Sequence, residues 1–155
     1  MLGEACGHRL AVGKGGERLP FPVLADGVEE QAAIHGLAAG LRAAPTELCV
    51  VLPVDTPLMT AAALLELAAA CVGDAAIPQT GPLPGAYRKR AMPALEAGER
   101  SIRRALEPLD VAVVTLDRAL LANVNTPADL EAAQAALASA PTAAARNWRE
   151  IGTDT

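Results

Sequence analysis

The segment ELCVVLPVDTPLM, residues 47–59, joins the most strand-like run of the chain to a carboxylate. Residues 48–54 are nearly all apolar and too few for a typical helix, which predicts a strand buried on both faces. Asp55 follows the expected end of that strand, where open α/β sheets bind ligands in a crevice, so it is the first candidate for chemistry. The same residues also fit a structural role, in which the Asp-Thr-Pro sequence caps a helix that begins near Thr60. The local pattern favours neither role over the other.

The composition limits the class of protein. At 155 residues the chain fits one domain, and 52% hydrophobic residues with only 2% aromatics predict a core of Ala, Leu and Val. A net charge of −5 without a dense basic stripe argues against a nucleic-acid partner. No apolar run is long enough to cross a bilayer and no signal peptide is evident, so we expect a cytoplasmic protein without a membrane partner. Cys6, Cys49 and Cys71 form no CxxC pair, which predicts reduced thiols rather than disulfides or zinc.

Strand and helix patterns alternate along the chain, which predicts a three-layer α/β fold with a mostly parallel sheet. Residues 1–138 are expected to form the domain and residues 139–155 a tail. Residues 14–17, Lys-Gly-Gly-Glu, fit a turn better than a phosphate loop, because the Walker spacing is absent. The expected strands are 8–13, 20–25, 48–54, 75–79, 85–88 and 110–116, and the expected helices are 29–44, 60–71, 89–95, 101–106 and 127–138.

Polar side chains follow three of the predicted strands. Asp26, Asp55 and the segment 123–125 each come after a strand, so all three are expected to gather on one edge of the sheet. The resulting cleft would hold two carboxylates and the carboxamides of Asn123 and Asn125. Such a set suits a hard divalent cation with a polyphosphate, because Mg²⁺ takes one or two carboxylates plus phosphate oxygens.

Four segments occur in a diagnostic order: VLADG at 23–27, VLPVDTPLM at 51–59, ALEAGERSIRRAL at 94–106 and NVNTPADLEAA at 123–133. Together they resemble the molybdenum cofactor guanylyltransferases, the MobA-type nucleotidyltransferases, and the likeness extends to about Leu137. The resemblance implies a Rossmann-like nucleotidyltransferase fold that transfers GMP from GTP to molybdopterin, with Mg²⁺ as cofactor. It also implies contact with other proteins of molybdenum cofactor biosynthesis.

On the nucleotide side, the resemblance implies that Asp55 ligates the Mg²⁺ that bridges the phosphates. Asp26 would help to hold the guanine end. Gly36 is what remains of a Gly-Pro-Leu-Ala-Gly motif and would also belong to the nucleotide site.

On the acceptor side, the resemblance implies that Asn123 and Asn125 orient the pterin phosphate or the nucleotide. Arg100 would counter phosphate charge. A phosphate oxygen of the acceptor would attack the α-phosphorus of GTP in line, which requires positioning and charge neutralisation rather than covalent help from the protein.

Relatives in this family open with a strand, an LAGGxSxRMGxDK loop and a helix, which are missing here. In that fold the first strand lies mid-sheet, so we expect unpaired edges or flanking strands that close up, and an amino-terminally truncated form of a larger enzyme. Two alternatives stay open. One is a noncatalytic pterin- or nucleotide-binding relative, and the other is a related nucleotidyltransferase that uses CTP or a sugar phosphate.

Overall fold

The computed structural model describes residues 5–13, 23–25 and 32–139. Its strands are β1 (Ala11–Gly13), β2 (Val23–Ala25), β3 (Leu48–Val51), β4 (Ala75–Pro78), β5 (Gly85–Arg88) and β6 (Val111–Val114). Its α-helices are α1 (Ala33–Ala43), α2 (Ala61–Ala70), α3 (Met92–Leu95), α4 (Ile102–Leu106) and α5 (Pro127–Ser139), with 3-10 turns at Lys89–Ala91 and Arg118–Leu121. The predicted turn at 14–17 and the predicted tail beyond Ser139 lie outside the described residues.

The main sheet has four strands in the order β3-β5-β4-β6. β4 and β6 are parallel, whereas β5 is antiparallel to both of its neighbours. Three strands therefore share one direction and β5 opposes them, so two of the three pairings are antiparallel and the main sheet is mixed rather than mostly parallel in its pairing. Because β3, β4 and β6 point the same way, their carboxyl ends lie on one edge, called here the carboxyl edge.

β1 and β2 pair in parallel as a separate two-stranded sheet. Among the described residues, β3 ends the main sheet and has no strand on its outer side. Helix α1 links the two sheets, because it packs on β1 and a Cβ built on Gly40 would lie 3.5 Å from Val12 Cγ2.

Two apolar clusters flank the main sheet. On one face α1, α3 and α4 pack around Ala75 and Tyr87, and on the other face α2 packs around Ala76 and Ala86. Ala75 and Ala76 lie on opposite faces, as do Ala86 and Tyr87, because successive side chains of a strand point to opposite faces. The predicted three layers are confirmed. In the described part of the chain, no helix is both long enough and apolar enough to cross a membrane.

The prediction for the strand that begins at Leu48 was wrong in length and burial. β3 ends at Val51, residues 48–51 are half-buried rather than buried, and Val54 is fully exposed. Pro53 has no N–H to donate to a ladder, and the chain turns there as the Thr56 amide donates to the Pro53 carbonyl at 3.4 Å. Asp55 therefore lies four residues beyond the strand, in a turn at the carboxyl edge.

The three cysteines are free thiols, as predicted. Cys71 is buried, and its thiol donates to the Ala86 carbonyl at 3.5 Å. Burial raises the pKa of each of the three thiols. They are therefore held in the protonated form rather than as nucleophilic thiolates.

Candidate functional site

The turn that carries Asp55 is anchored by its neighbours. The hydroxyl of Thr56, a residue only 3% exposed, donates to the Pro53 carbonyl at 2.9 Å. Met59 is buried, and its amide donates to the Thr56 carbonyl at 3.4 Å. Because these residues fix the turn from the inside, the Asp55 carboxylate is presented at the carboxyl edge, where it is partly exposed.

Asp55 meets the segment that follows β6. Asn123 Nδ2 donates to Asp55 Oδ2 at 3.0 Å, and the Val124 amide donates to the Asp55 carbonyl at 2.8 Å. Two contacts, one through side chains and one through the backbone, therefore hold two loops together although 68 residues separate them in the chain. Two of the three polar segments expected at one edge do meet there.

The alternative role for Asp55, as a cap of α2, is wrong. The cap of that helix is Thr60, whose hydroxyl accepts from the Ala63 amide at 3.2 Å. The Asp55 side chain lies five residues earlier and bonds to Asn123 instead. The carboxylate is thus available for a role outside helix capping.

The start of α5 fixes the backbone beside Asn123. Asp129 Oδ2 accepts from the amides of Asn125 and Thr126 at 3.1 and 2.9 Å, and Thr126 Oγ1 accepts from the Asp129 amide at 3.2 Å. This is the capping box that the sequence predicts. The pKa of Asp129 lies below its ordinary value, first because its carboxylate interacts with the Thr126 side chain and then because it accepts from the amides of Asn125 and Thr126. The backbone amide of Asn125 thus belongs to the capping box rather than to the Asp55 contact.

Arg100 lines a pocket on the α1 side of the sheet. The cavity has a volume of about 400 Å³, within the range of small-molecule sites. Asp55 and Asn123 are not among the residues that line it. Sequence reasoning missed Arg103, which lines the pocket beside Arg100; the three basic residues in ERSIRR were the available signal. The lining residues are Ala33, Ile34, Thr80, Gly81, Pro82, Leu83, Arg100, Ser101, Ile102 and Arg103.

The other predicted site residues fall in two places. Gly36 lies inside α1, and a Cβ built on it would meet nothing within 4 Å, so no close approach of the described chain requires glycine there. Asp26 lies outside the described residues. The structure thus joins Asp55 to Asn123, places Arg100 in a pocket, and brings neither Gly36 nor Asn125 into the Asp55 contact.

The donor set at Asp55 fits a magnesium ion that arrives with phosphates. Within residues 5–13, 23–25 and 32–139, no group of three or more His, Cys, Asp or Glu side chains forms a metal cage. Mg²⁺ does not require such a cage, because it commonly binds through one or two carboxylates, substrate phosphates and several waters. A partly exposed carboxylate held by a carboxamide meets that requirement.

The architecture defines a class of protein: a Rossmann-like α/β fold whose carboxyl edge carries a carboxylate held by a carboxamide. Residues 2–116 match the family described as the MobA-like NTP transferase domain. This match covers well over half of the chain, and the chain belongs to that family. The resemblance found in the sequence is confirmed.

Two relatives have names that specify an activity. A "Probable molybdenum cofactor guanylyltransferase" from Chloroflexus aggregans is 34% identical over 140 residues, which cover 77% of this chain and 67% of that protein. A "Molybdenum cofactor guanylyltransferase" from Pseudomonas syringae pv. syringae is 34% identical over 115 residues, which cover 66% of this chain and 57% of that protein. The chain thus spans 57–67% of the length of these relatives.

Two solved structures share the fold. A crystal structure of a protein from Aquifex aeolicus VF5 gives a TM-score of 0.68 at 28% identity, covering 76% of this chain and 70% of that one. Molybdopterin-guanine dinucleotide biosynthesis protein A from Archaeoglobus fulgidus gives a TM-score of 0.65 at 27% identity, covering 77% and 70% of the two chains. These similarities support the Rossmann-like assignment.

Proposed function

We propose that this protein transfers GMP from GTP to molybdopterin, forming the guanine dinucleotide form of the molybdenum cofactor. The observation that carries the proposal is the Asp55–Asn123 contact at the carboxyl edge, where α/β sheets bind nucleotides. Membership of the MobA-like family and the names of the two relatives support the choice of substrates. We place the protein in the cytoplasm, in contact with other proteins of molybdenum cofactor biosynthesis.

In this proposal Asp55 is the protein ligand of Mg²⁺. The bound ion would neutralise phosphate charge at the reacting end of GTP. Asn123 would act through Asp55, because its amide group orients the carboxylate by hydrogen bonding. Asp26 and Gly36 belong to the nucleotide side by family resemblance alone.

The reaction makes one P–O bond and breaks another. A phosphate oxygen of molybdopterin attacks the α-phosphorus of GTP, and pyrophosphate leaves with the electron pair of the broken bond. No general base is needed, since the attacking phosphate is already ionised near neutral pH. The protein contributes by alignment and by balancing charge. Arg100 would serve the second purpose from its pocket, and Asn123 and Asn125 would orient the acceptor.

The test is product formation from GTP, molybdopterin and Mg²⁺, followed by chromatography of the dinucleotide and by pyrophosphate release. Asp55→Asn removes one charge and keeps an acceptor for Asn123. Asp110→Asn is the matched control, because Asp110 is exposed and lies just before β6, at the edge of the sheet opposite the carboxyl edge. We expect product from the unmodified protein and from Asp110→Asn, and a loss of at least about tenfold in Asp55→Asn. Product with CTP but not GTP would overturn the choice of nucleotide, and equal rates in all three proteins would overturn the role of Asp55.

A further inference from the structure

Gln79 continues the β4–β6 ladder with its side chain. The parallel pairing ends at Pro78 and Val114, and the Gln79 amide still donates to the Val114 carbonyl at 3.2 Å. Beyond that point Gln79 Nε2 donates to the Leu116 carbonyl at 2.7 Å, and the Leu116 amide donates to Gln79 Oε1 at 3.0 Å. The side-chain amide therefore pairs with Leu116 as a backbone peptide would.

This pairing needs a side chain that both donates and accepts in one plane, which Asn and Gln provide. Two bonds to one residue fix its rotation as well as its position. Leu116 itself is 5% exposed and packs in the cluster around α2, so it is a firm anchor. Gln79 therefore sets the direction in which the chain leaves β6.

The chain that leaves at Leu116 leads directly to the candidate site. Asp117 caps the 3-10 turn Arg118–Leu121, and one residue further on come Asn123 and Val124, which bond to Asp55. The segment is thus held at Leu116 by Gln79 and at Val124 by Asp55. A shift at the first point would be transmitted to the second, since only seven residues lie between them.

Gln79 also begins the second loop at this edge. Residues 80–83 follow it directly and form one wall of the pocket that Arg100 lines. Gln79 thus contacts the start of the segment that leads to Asn123, and it directly precedes the segment that lines the Arg100 pocket. The only signal for Gln79 along the chain is weak: it is a polar residue directly after a buried strand.

We propose that Gln79 is a positioning residue: by holding Leu116 it fixes the segment that places Asn123 and Val124 against Asp55. Its importance for nucleotide transfer rests on the proposed function, whereas its effect on the Asp55 contact does not. The two are therefore measured separately.

The structural test is amide hydrogen exchange. Gln79→Met keeps the length of the side chain without an amide, and Gln134→Met on the exposed face of α5 is the matched control. In Gln79→Met we expect the protection of the Val124 amide to fall roughly tenfold. In the control variant its protection should not change. The Asp110 amide, bonded to Asp74 Oδ2 at 2.9 Å on the far edge, should keep its protection. Loss of protection at Leu116 with no change at Val124 would overturn the proposal.

A second variant and a metal probe complete the test. Gln79→Glu keeps an acceptor for the Leu116 amide but at neutral pH replaces the donor by a charged oxygen that faces the Leu116 carbonyl, so protection at Val124 should also fall. If Gln79→Met unfolds, this variant decides, and a fall in protection at Val124 no larger than that at Asp110 would overturn the proposal.

Mn²⁺ binding, followed by paramagnetic relaxation, should weaken severalfold in Gln79→Met. Absence of Mn²⁺ binding in the unmodified protein would count against the proposed metal site, while the exchange result still decides the role of Gln79.

Discussion

Tyr87→Phe should make the protein less stable at neutral pH and more stable at strongly alkaline pH. The Tyr87 side chain has 0% exposure, and its hydroxyl donates to the Pro82 carbonyl in the pocket wall. Removing the hydroxyl at neutral pH leaves that carbonyl without its partner, which costs about 1–2 kcal/mol. For a chain of this size, the melting temperature should fall by about 2–8 °C.

The alkaline result follows from the direction of the pKa shift. Burial raises the pKa of Tyr87, so the folded state holds the phenol proton when the unfolded chain has begun to lose it near pH 10. The stability that this residue contributes is therefore complete below about pH 10 and is lost above it, at about 1.4 kcal/mol per pH unit. Phenylalanine has no proton to lose. The curves of unfolding free energy against pH for the unmodified protein and for Tyr87→Phe should therefore cross at about pH 11.

The assay is urea unfolding of both proteins from pH 7 to 11.5, followed by circular dichroism under reducing conditions. The thiols, whose pKa values burial also raises, destabilise both proteins at high pH in the same direction, so the difference between the two curves reports mainly the phenol. A difference in the free energy of unfolding that stays constant through pH 11.5 would refute the reasoning, because it would mean that the phenol titrates normally.

Other substitutions test separate contacts. Gly73→Ala should lower the free energy of unfolding by about 1–3 kcal/mol, because a Cβ there would lie 2.5 Å from the Asp110 carbonyl oxygen; an unchanged urea midpoint would contradict this contact. Gly36→Ala should raise it by about 0.5–1 kcal/mol, since the site lies inside α1 with open space around it, and a decrease would show hidden crowding. Thr60→Ala should cost about 1 kcal/mol by uncapping α2, as measured by thermal melting, and a melting temperature equal to that of the parent would argue against the cap. The pKa of Asp129 is lower in the folded protein than in the unfolded chain, so the stability that its carboxylate contributes is present above the unfolded pKa and is lost as the pH falls through the folded pKa. Asp129→Asn should therefore make the stability less sensitive to acid. Identical melting curves of the two proteins at acidic pH would contradict this.

The main elements could be predicted because their signals are local. The alternation of Ala75 and Ala76 between the two faces, and the capping box of Thr126 and Asp129, follow from period and spacing within a few residues. The direction of β5 could not be predicted in this way. A four-residue strand is specified by its pairing with β3 and β4, and those partners lie elsewhere in the chain.

The candidate site was predictable where a topological rule applies. Asp55 and Asn123 were expected to meet because both follow strands of one direction, and the structure brings them together. The pairing of Gln79 with Leu116 spans 37 residues and joins a side chain to a backbone, so no local pattern reports it. The placement of Arg100 in a pocket away from Asp55 depends on how α1 and α4 pack, which spacing along the chain does not determine.

The most direct test of the central claim is calorimetric titration of the protein with GTP in the presence of Mg²⁺. The unmodified chain and Asp110→Asn should bind with the same affinity, whereas Asp55→Asn should bind at least about tenfold more weakly and lose its dependence on Mg²⁺. Equal affinity in all three folded proteins would contradict the assignment of the metal-nucleotide site to the Asp55–Asn123 contact.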